Sequence, residues 1–156
     1  MDGDKIIREA KEEFESFKKE HNLKAGYDEL NKHFHVSDHL VRDGYAPGEL
    51  SRNICVRASN FIMGWANYLH GLLMPNPHHL ISVNESKMLS DVDKKEVTDL
   101  ISSIMSHNSK ELVVHLKNNP ADDAKMIDEF LEVWKNDLFP RVEKIMVKIN
   151  EGWNKK

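Results

Sequence analysis

The fold is decided by residues 50–74, which read LSRNICVRASNFIMGWANYLHGLLM. Apolar residues run almost all the way round a helix in this stretch, and a helix of that kind is buried on every side. Pro47 suits the first turn of such a helix, whereas Pro75 and Pro77 cannot continue it. We therefore predict a central buried helix over about residues 48–74.

One stripe at helical spacing breaks the apolar pattern of this helix. It consists of Asn53, Arg57, Asn60, Gly64, Asn67 and Gly71, with His70 beside it. A buried Arg57 needs a partner, because an isolated charge in a core is very costly, and we expect a carboxylate from another helix. The stripe is either a buried polar network, with Gly64 and Gly71 admitting a neighbouring helix, or a ligand pocket. For a pocket, the candidate ligand-binding residues are Arg57, Asn60, Asn67 and His70.

Helical periodicity continues on both sides of the central segment. Further helices are predicted at about 4–20, 27–43 and 83–89, from Asp91 toward Asn118, and from Pro120 past a kink at Pro140. The sequence leaves open whether the 91–118 helix is broken near Asn108. No segment alternates with period two, so no strand is predicted. The predicted fold class is all-α: an antiparallel helical bundle of four long helices plus one or two short ones, in a single domain over 1–156.

Charge and cysteine content limit the partners and the compartment. The 156 residues carry 22 Lys and Arg against 26 Asp and Glu, a formal net charge of -4, which argues against nucleic acid as a partner. The single cysteine, Cys55, can form no disulfide within the chain, and the charged N-terminal residues do not resemble a signal peptide. We therefore expect a cytoplasmic protein. Arg57 and the asparagines of the central helix would be costly in lipid, so we expect no membrane partner.

Histidines on the predicted second helix suggest a metal site. His35 and His39 are four residues apart, and Asp28 lies seven residues before His35, so the three share one face of a continuous helix. Two imidazoles and a carboxylate can bind zinc or a similar divalent metal ion, with a further ligand from His70 or the His78–His79 loop. The alternative is a solvated helix face.

A second histidine stripe lies on the 91–118 helix. His107, Glu111 and His115 are spaced four apart and so share one face. Because His115 lies close to the apolar side, we interpret it as an interface histidine with a satisfied hydrogen bond.

Common catalytic and nucleotide-binding motifs are absent from the sequence. A compact all-helical domain of this size resembles, in architecture, the HEPN superfamily of ribonucleases and partner-binding domains. HEPN nucleases carry an Arg followed a few residues later by a His, and no arginine of this sequence has that neighbour. The resemblance therefore implies a non-nucleolytic member.

These observations favour a binding function. We expect an intracellular helical-bundle protein that acts through protein or small-ligand binding. The reason is that the sequence predicts a well-defined helical core but shows no recognisable set of catalytic residues. Trp134 and Trp153 on the last helix, or Tyr27 and Tyr45 near the second, can anchor a protein partner or a homodimer, although core packing explains Trp134 equally well. The alternative is a metal-dependent or acid–base enzyme, hydrolase-like, with a site built from the helix histidines and a carboxylate.

Overall fold

The computed structural model describes residues 2–155, which form α-helices and one π-helical turn and contain no strand. The elements are α1 (Gly3–His21), α2 (Tyr27–Phe34), α3 (Val36–Asp43), α4 (Leu50–Leu73), α5 (Leu80–Lys87), α6 (Asp91–Lys117), α7 (Pro120–Val133), the π turn (Trp134–Leu138) and α8 (Phe139–Asn154). The predicted all-α class is confirmed. None of the helices in the described part of the chain combines the length and the apolar character needed to cross a membrane.

The described residues group into two compact units. The first comprises the residues up to Phe61 together with Ser109–Glu132, and the second comprises Ile62–Asn108 together with the residues from Val133 onward. Each unit has its own buried apolar residues. The single domain expected from the sequence stays a prediction.

In the first unit, α1 packs against α3 through its apolar face. Ala10 and Phe14 recur at helical spacing and are completely buried, and the Phe14 ring meets the Tyr27 ring edge-on at 5.7 Å. The connection between α1 and α2 is fastened to α7, because the backbone N–H groups of Lys24 and Ala25 donate to the Asp128 carboxylate at 3.0 and 2.8 Å. These hydrogen bonds hold the connection between α1 and α2 against α7.

The continuous second helix predicted over 27–43 is wrong, because the chain turns at His35. His35 has φ 56° and ψ 46°, the left-handed conformation, and separates α2 from α3. A non-glycine residue in this conformation costs roughly 1–2 kcal/mol. The side chain of Asn31 offsets part of that cost by accepting from the Ser37 N–H at 2.8 Å, and the turn lets Phe34 and Val36 both be buried.

In the second unit, α6 starts at a reciprocal cap. The Ser90 N–H donates to Asp93 Oδ2 at 3.0 Å, and the Asp93 N–H donates to Ser90 Oγ at 3.1 Å. The helix then continues through Asn108 without a break, which settles the question that the sequence left open.

A kink was predicted at Pro140, and the structure has a π turn just before that residue. Proline lacks an N–H and crowds the preceding turn of a helix, so the normal ladder cannot pass through it unchanged. The wider turn from Trp134 to Leu138 accommodates this change while keeping both of those side chains in the core.

A buried carboxylate anchors α5 in the second unit. Glu85 is 8% exposed. Its two oxygens accept hydrogen bonds from the Tyr68 hydroxyl at 2.6 Å and from the Trp153 indole Nε1 at 3.1 Å. The Glu85 carboxylate therefore has a donor on each oxygen. We call Glu85, Tyr68 and Trp153 the Glu85 cluster.

Candidate functional site

Within residues 2–155, Arg57 does not have the carboxylate partner that the sequence predicted. Its Nε donates at 2.7 Å to the carbonyl oxygen of Phe34, the last residue of α2, and its guanidinium lies over the Phe61 ring at 5.9 Å. Carbonyls at a helix C-terminus lack partners within the helix and carry partial negative charge, so they can receive an arginine in place of an acid. Arg57 is thus only half-buried and caps a helix.

Much of the predicted polar stripe beyond Arg57 faces solvent, whereas Asn53 and Gly71 are half-buried. Asn60, Asn67 and His70 are exposed, and α4 is apolar on its buried side only. The prediction of a helix buried on every side is therefore wrong. From Arg57 to His70 the stripe extends about 20 Å along the helix, too far for the side chains to converge on one small ligand. A role in ligand binding for these four residues stays a prediction.

The two glycines of the stripe do not admit a neighbouring helix. A Cβ atom built at Gly64 or Gly71 meets no heavy atom within 4 Å. The predicted close helix approach at this seam is therefore wrong, and the glycines lie on the open side of an amphipathic helix.

The predicted metal ligands lack the common helix face that motivated the prediction. Asp28 pairs with Lys11 at 3.5 Å, His39 Nδ1 pairs with Asp43 at 2.8 Å, and the His35 ring lies 6.1 Å from the Phe61 ring. Because His35 is left-handed, the positions before and after it do not continue one helical face. Among residues 2–155, no group of three His, Cys, Asp or Glu side chains is placed to hold a metal ion.

The most polar buried site lies elsewhere, in the first unit. Arg52 Nη2 donates to Glu111 Oε1 at 2.7 Å and lies 3.4 Å from Asp123 Oδ1. Glu111 and Asp123 are each only 3% exposed. These three residues, the Arg52 cluster, come from the start of α4, the end of α6 and the start of α7.

Three atoms of the Arg52 cluster are buried without a hydrogen-bond partner in the described part of the chain. They are Arg52 Nε, Arg52 Nη1 and Asp123 Oδ1. Buried polar atoms nearly always have a partner, and each one left without costs about 1–3 kcal/mol. The cluster therefore has unused donors and an unused acceptor side by side.

Two neighbours shape the chemistry of Asp123. The Ser51 hydroxyl donates to Asp123 Oδ2 at 3.0 Å, and the Cys55 thiol lies 3.6 Å from the Asp123 carbonyl oxygen. Burial raises the pKa of the Asp123 carboxyl above its ordinary value, although Arg52 and Ser51 act to lower it. Burial also raises the pKa of the Cys55 thiol to about 12, so that thiol stays protonated and is a poor nucleophile.

The Arg52 cluster borders a pocket of about 740 Å³, the Arg52 pocket. Its polar lining residues are Glu49, Ser51, Arg52, Asn53, His115, Asn118 and Asp123. Val56 and the strongly exposed Leu116 add apolar surface. A few convergent polar groups beside apolar surface are typical of small-molecule sites.

Local sequence places these residues at helix ends. The Asn119 side chain accepts from the Ala121 N–H at 2.9 Å and starts α7, which brings Asp123 into its first turn. Arg52 lies in the first turn of α4, and α6 ends soon after His115. The pocket lies between the start of α4, the end of α6 and the start of α7.

Arg52 was not predicted as a site residue, and Arg57 was predicted to be the buried arginine in its place. Arg57 lies deeper in the apolar segment, so the pattern alone favours it. A usable signal was present: Cys55 and Ser59, three and seven residues after Arg52, are small residues on the buried face. His115, predicted to be a satisfied interface histidine, is exposed and lines the pocket.

Comparisons with protein-family models, with curated proteins and with solved structures give no significant match to this chain.

Proposed function

We propose that this protein binds a small polar organic molecule in the Arg52 pocket. The proposal is carried by three buried atoms beside the pocket that have no hydrogen-bond partner among the described residues, Arg52 Nε and Nη1 and Asp123 Oδ1. A ligand that offers an acceptor to Arg52 and a donor to Asp123 would remove the desolvation cost of both.

The charges favour a cationic or neutral ligand over an anionic one. Arg52 already faces two carboxylates, Glu111 and Asp123, and Glu49 lines the same pocket. A ligand ammonium group near Asp123 would reduce this excess of negative charge, whereas a ligand carboxylate would add to it. Val56 and Leu116 supply surface for an aliphatic part of the ligand. The proposed ligand class is therefore a small aliphatic amine that also carries a carbonyl or hydroxyl group.

Three matched compounds test this class. Leucinamide carries an ammonium and a carbonyl group, N-acetylleucinamide is neutral, and N-acetylleucine is an anion with the same aliphatic side chain. Thermal unfolding and calorimetry at millimolar concentrations should rank leucinamide first and N-acetylleucine last. At one hundred times the dissociation constant, binding should raise the free energy of unfolding by about 2.7 kcal/mol.

Substitution of Asp123 locates the effect. Asp123→Asn should remove the preference for the ammonium compound over the neutral one, whereas Asp122→Asn, the same change on the preceding residue outside the pocket lining, should preserve it. Equal or tighter binding of N-acetylleucine would overturn the ligand class. If none of the three compounds shifts the unfolding temperature, the Arg52 cluster is a structural ion cluster that holds three helices.

A further inference from the structure

A groove between α6 and α7 lies in the first unit, next to the Arg52 pocket. It has a volume of about 400 Å³ and an apolar floor formed by Val113, Val114 and Met126. The Lys110 Nζ donates to Glu129 Oε1 at 2.7 Å and ties the two helices together across it. We call this feature the α6–α7 groove.

An apolar ridge on α6 runs along the groove. Leu112, Val113 and Leu116 lie at helical spacing on one face and are 54%, 51% and 84% exposed. Leucines with more than half of their surface in water are individually ordinary, but three adjacent apolar side chains beside a concave apolar floor are typical of a docking surface. Val113 belongs to both the ridge and the groove, so the apolar surface is continuous.

The border of this surface is basic, although the whole chain has a formal net charge of -4. Lys110, Lys117 and Lys125 line the groove, against the carboxylates of Asp122 and Glu129. Within the described residues, Lys117 and Lys125 have no carboxylate in ion-pair range, so their charges are open to a partner. Complementary charge selects partners and speeds their association.

These features favour one occupant. A second copy placed symmetrically on this face would bring lysines against lysines, because a two-fold interface uses the same patch on both copies. An anionic membrane would meet Asp122 and Glu129 in a concave surface that a lipid bilayer cannot fill. A helix with an apolar stripe and acidic flanks fits both the groove and the lysines. We propose that the α6–α7 groove with its ridge is the docking surface for an acidic amphipathic helix of a partner protein.

The experiment uses two designed peptides with the same leucine stripe, one flanked by Glu and one by Lys. Fluorescence anisotropy with the full chain should show binding of the Glu peptide, weakened by salt, and much weaker binding of the Lys peptide. Val113→Asp should weaken the Glu peptide at least about tenfold. The control Val147→Asp, on α8 with a nearly equal exposure of 50%, should leave its affinity unchanged.

Each other outcome overturns the proposal. If neither peptide binds, or if the Lys peptide binds as tightly as the Glu peptide, the surface has no preference for an acidic helix. Light scattering that shows a dimer dispersed by Val113→Asp would assign the face to a second copy. Binding to phosphatidylserine vesicles that Val113→Asp abolishes and Val147→Asp does not would assign it to a membrane. Equal loss of Glu-peptide affinity in both variants would place the peptide elsewhere.

Discussion

Both compact units bury carboxylates, but they satisfy them in opposite ways. In the second unit, Glu85 accepts from Tyr68 and Trp153, so each of its oxygens has a neutral donor. In the first unit, Arg52 and Asp123 retain three buried atoms that no described residue hydrogen-bonds, although Arg52 pairs closely with Glu111. A carboxylate with a neutral donor on each oxygen needs no further hydrogen-bond partner. The Arg52 cluster, in contrast, has buried donors and an acceptor beside a pocket that could still form hydrogen bonds. This difference is the reason for proposing a ligand there.

The largest effect should come from breaking the charged cluster. Glu111→Gln removes the nearest negative charge from a largely buried Arg52, and loss of one member of a buried ion pair costs about 3–5 kcal/mol. We expect a value near the lower end, because Asp123 remains close to Arg52. Urea denaturation near neutral pH measures the change in the free energy of unfolding.

The matched control for that prediction is Glu9→Gln, in an exposed pair with Lys5 at 3.9 Å. Its effect should be below about 1 kcal/mol. Similar losses in the two variants would mean that the Arg52 cluster contributes no more than a surface ion pair, and the contrast between the two units would disappear.

A smaller loss should follow from breaking the Glu85 cluster. Tyr68→Phe removes the hydroxyl that donates to Glu85 Oε2 and leaves that buried oxygen without a donor, at a cost of about 2 kcal/mol. Tyr45→Phe, the same change at a half-buried tyrosine, should stay within about 0.5 kcal/mol. A Tyr68→Phe variant as stable as the wild type would show that Glu85 finds another donor, and the contrast between the Glu85 cluster and the Arg52 cluster would be lost.

The smallest effect concerns the pH dependence of stability. Burial raises the pKa of Asp123 in the folded state, so the folded chain binds this proton more tightly than the unfolded chain does. The resulting stabilisation is complete below the ordinary carboxyl pKa and is lost as the pH rises through the folded value. Relative to Asp123→Asn, the wild type should therefore lose stability between acidic and neutral pH.

Denaturant titrations of both proteins over that pH range test the sign. A wild type that gains stability over Asp123→Asn as the pH rises would mean that Arg52 and Ser51 outweigh burial at this carboxyl. The Arg52 cluster would then resemble an ordinary stabilising ion pair.

Much of the fold followed from local patterns. The start of α6 at Ser90 and Asp93, the start of α7 at Asn119 and the irregularity before Pro140 are encoded by neighbouring residues, because caps and prolines act within one helical turn. The break at His35 was not predictable in this way. It depends on burying Phe34 and Val36 on both sides of the turn, which is a gain in tertiary packing that overrides local helical preference.

The candidate site was the least predictable part. Arg52, Glu111 and Asp123 are far apart in the chain, and each alone resembles an ordinary helix-end or helix-surface residue. By itself, the sequence determined that the chain is helical, where most helices start and stop, and that one apolar segment carries a polar stripe, since these depend on interactions over a few residues. Only the tertiary structure decided that much of the stripe faces solvent and that Arg52 meets two acids beside a pocket. Which face of a helix is buried depends on how the other helices pack against it. The hydrophobic periodicity of a single segment does not contain that information.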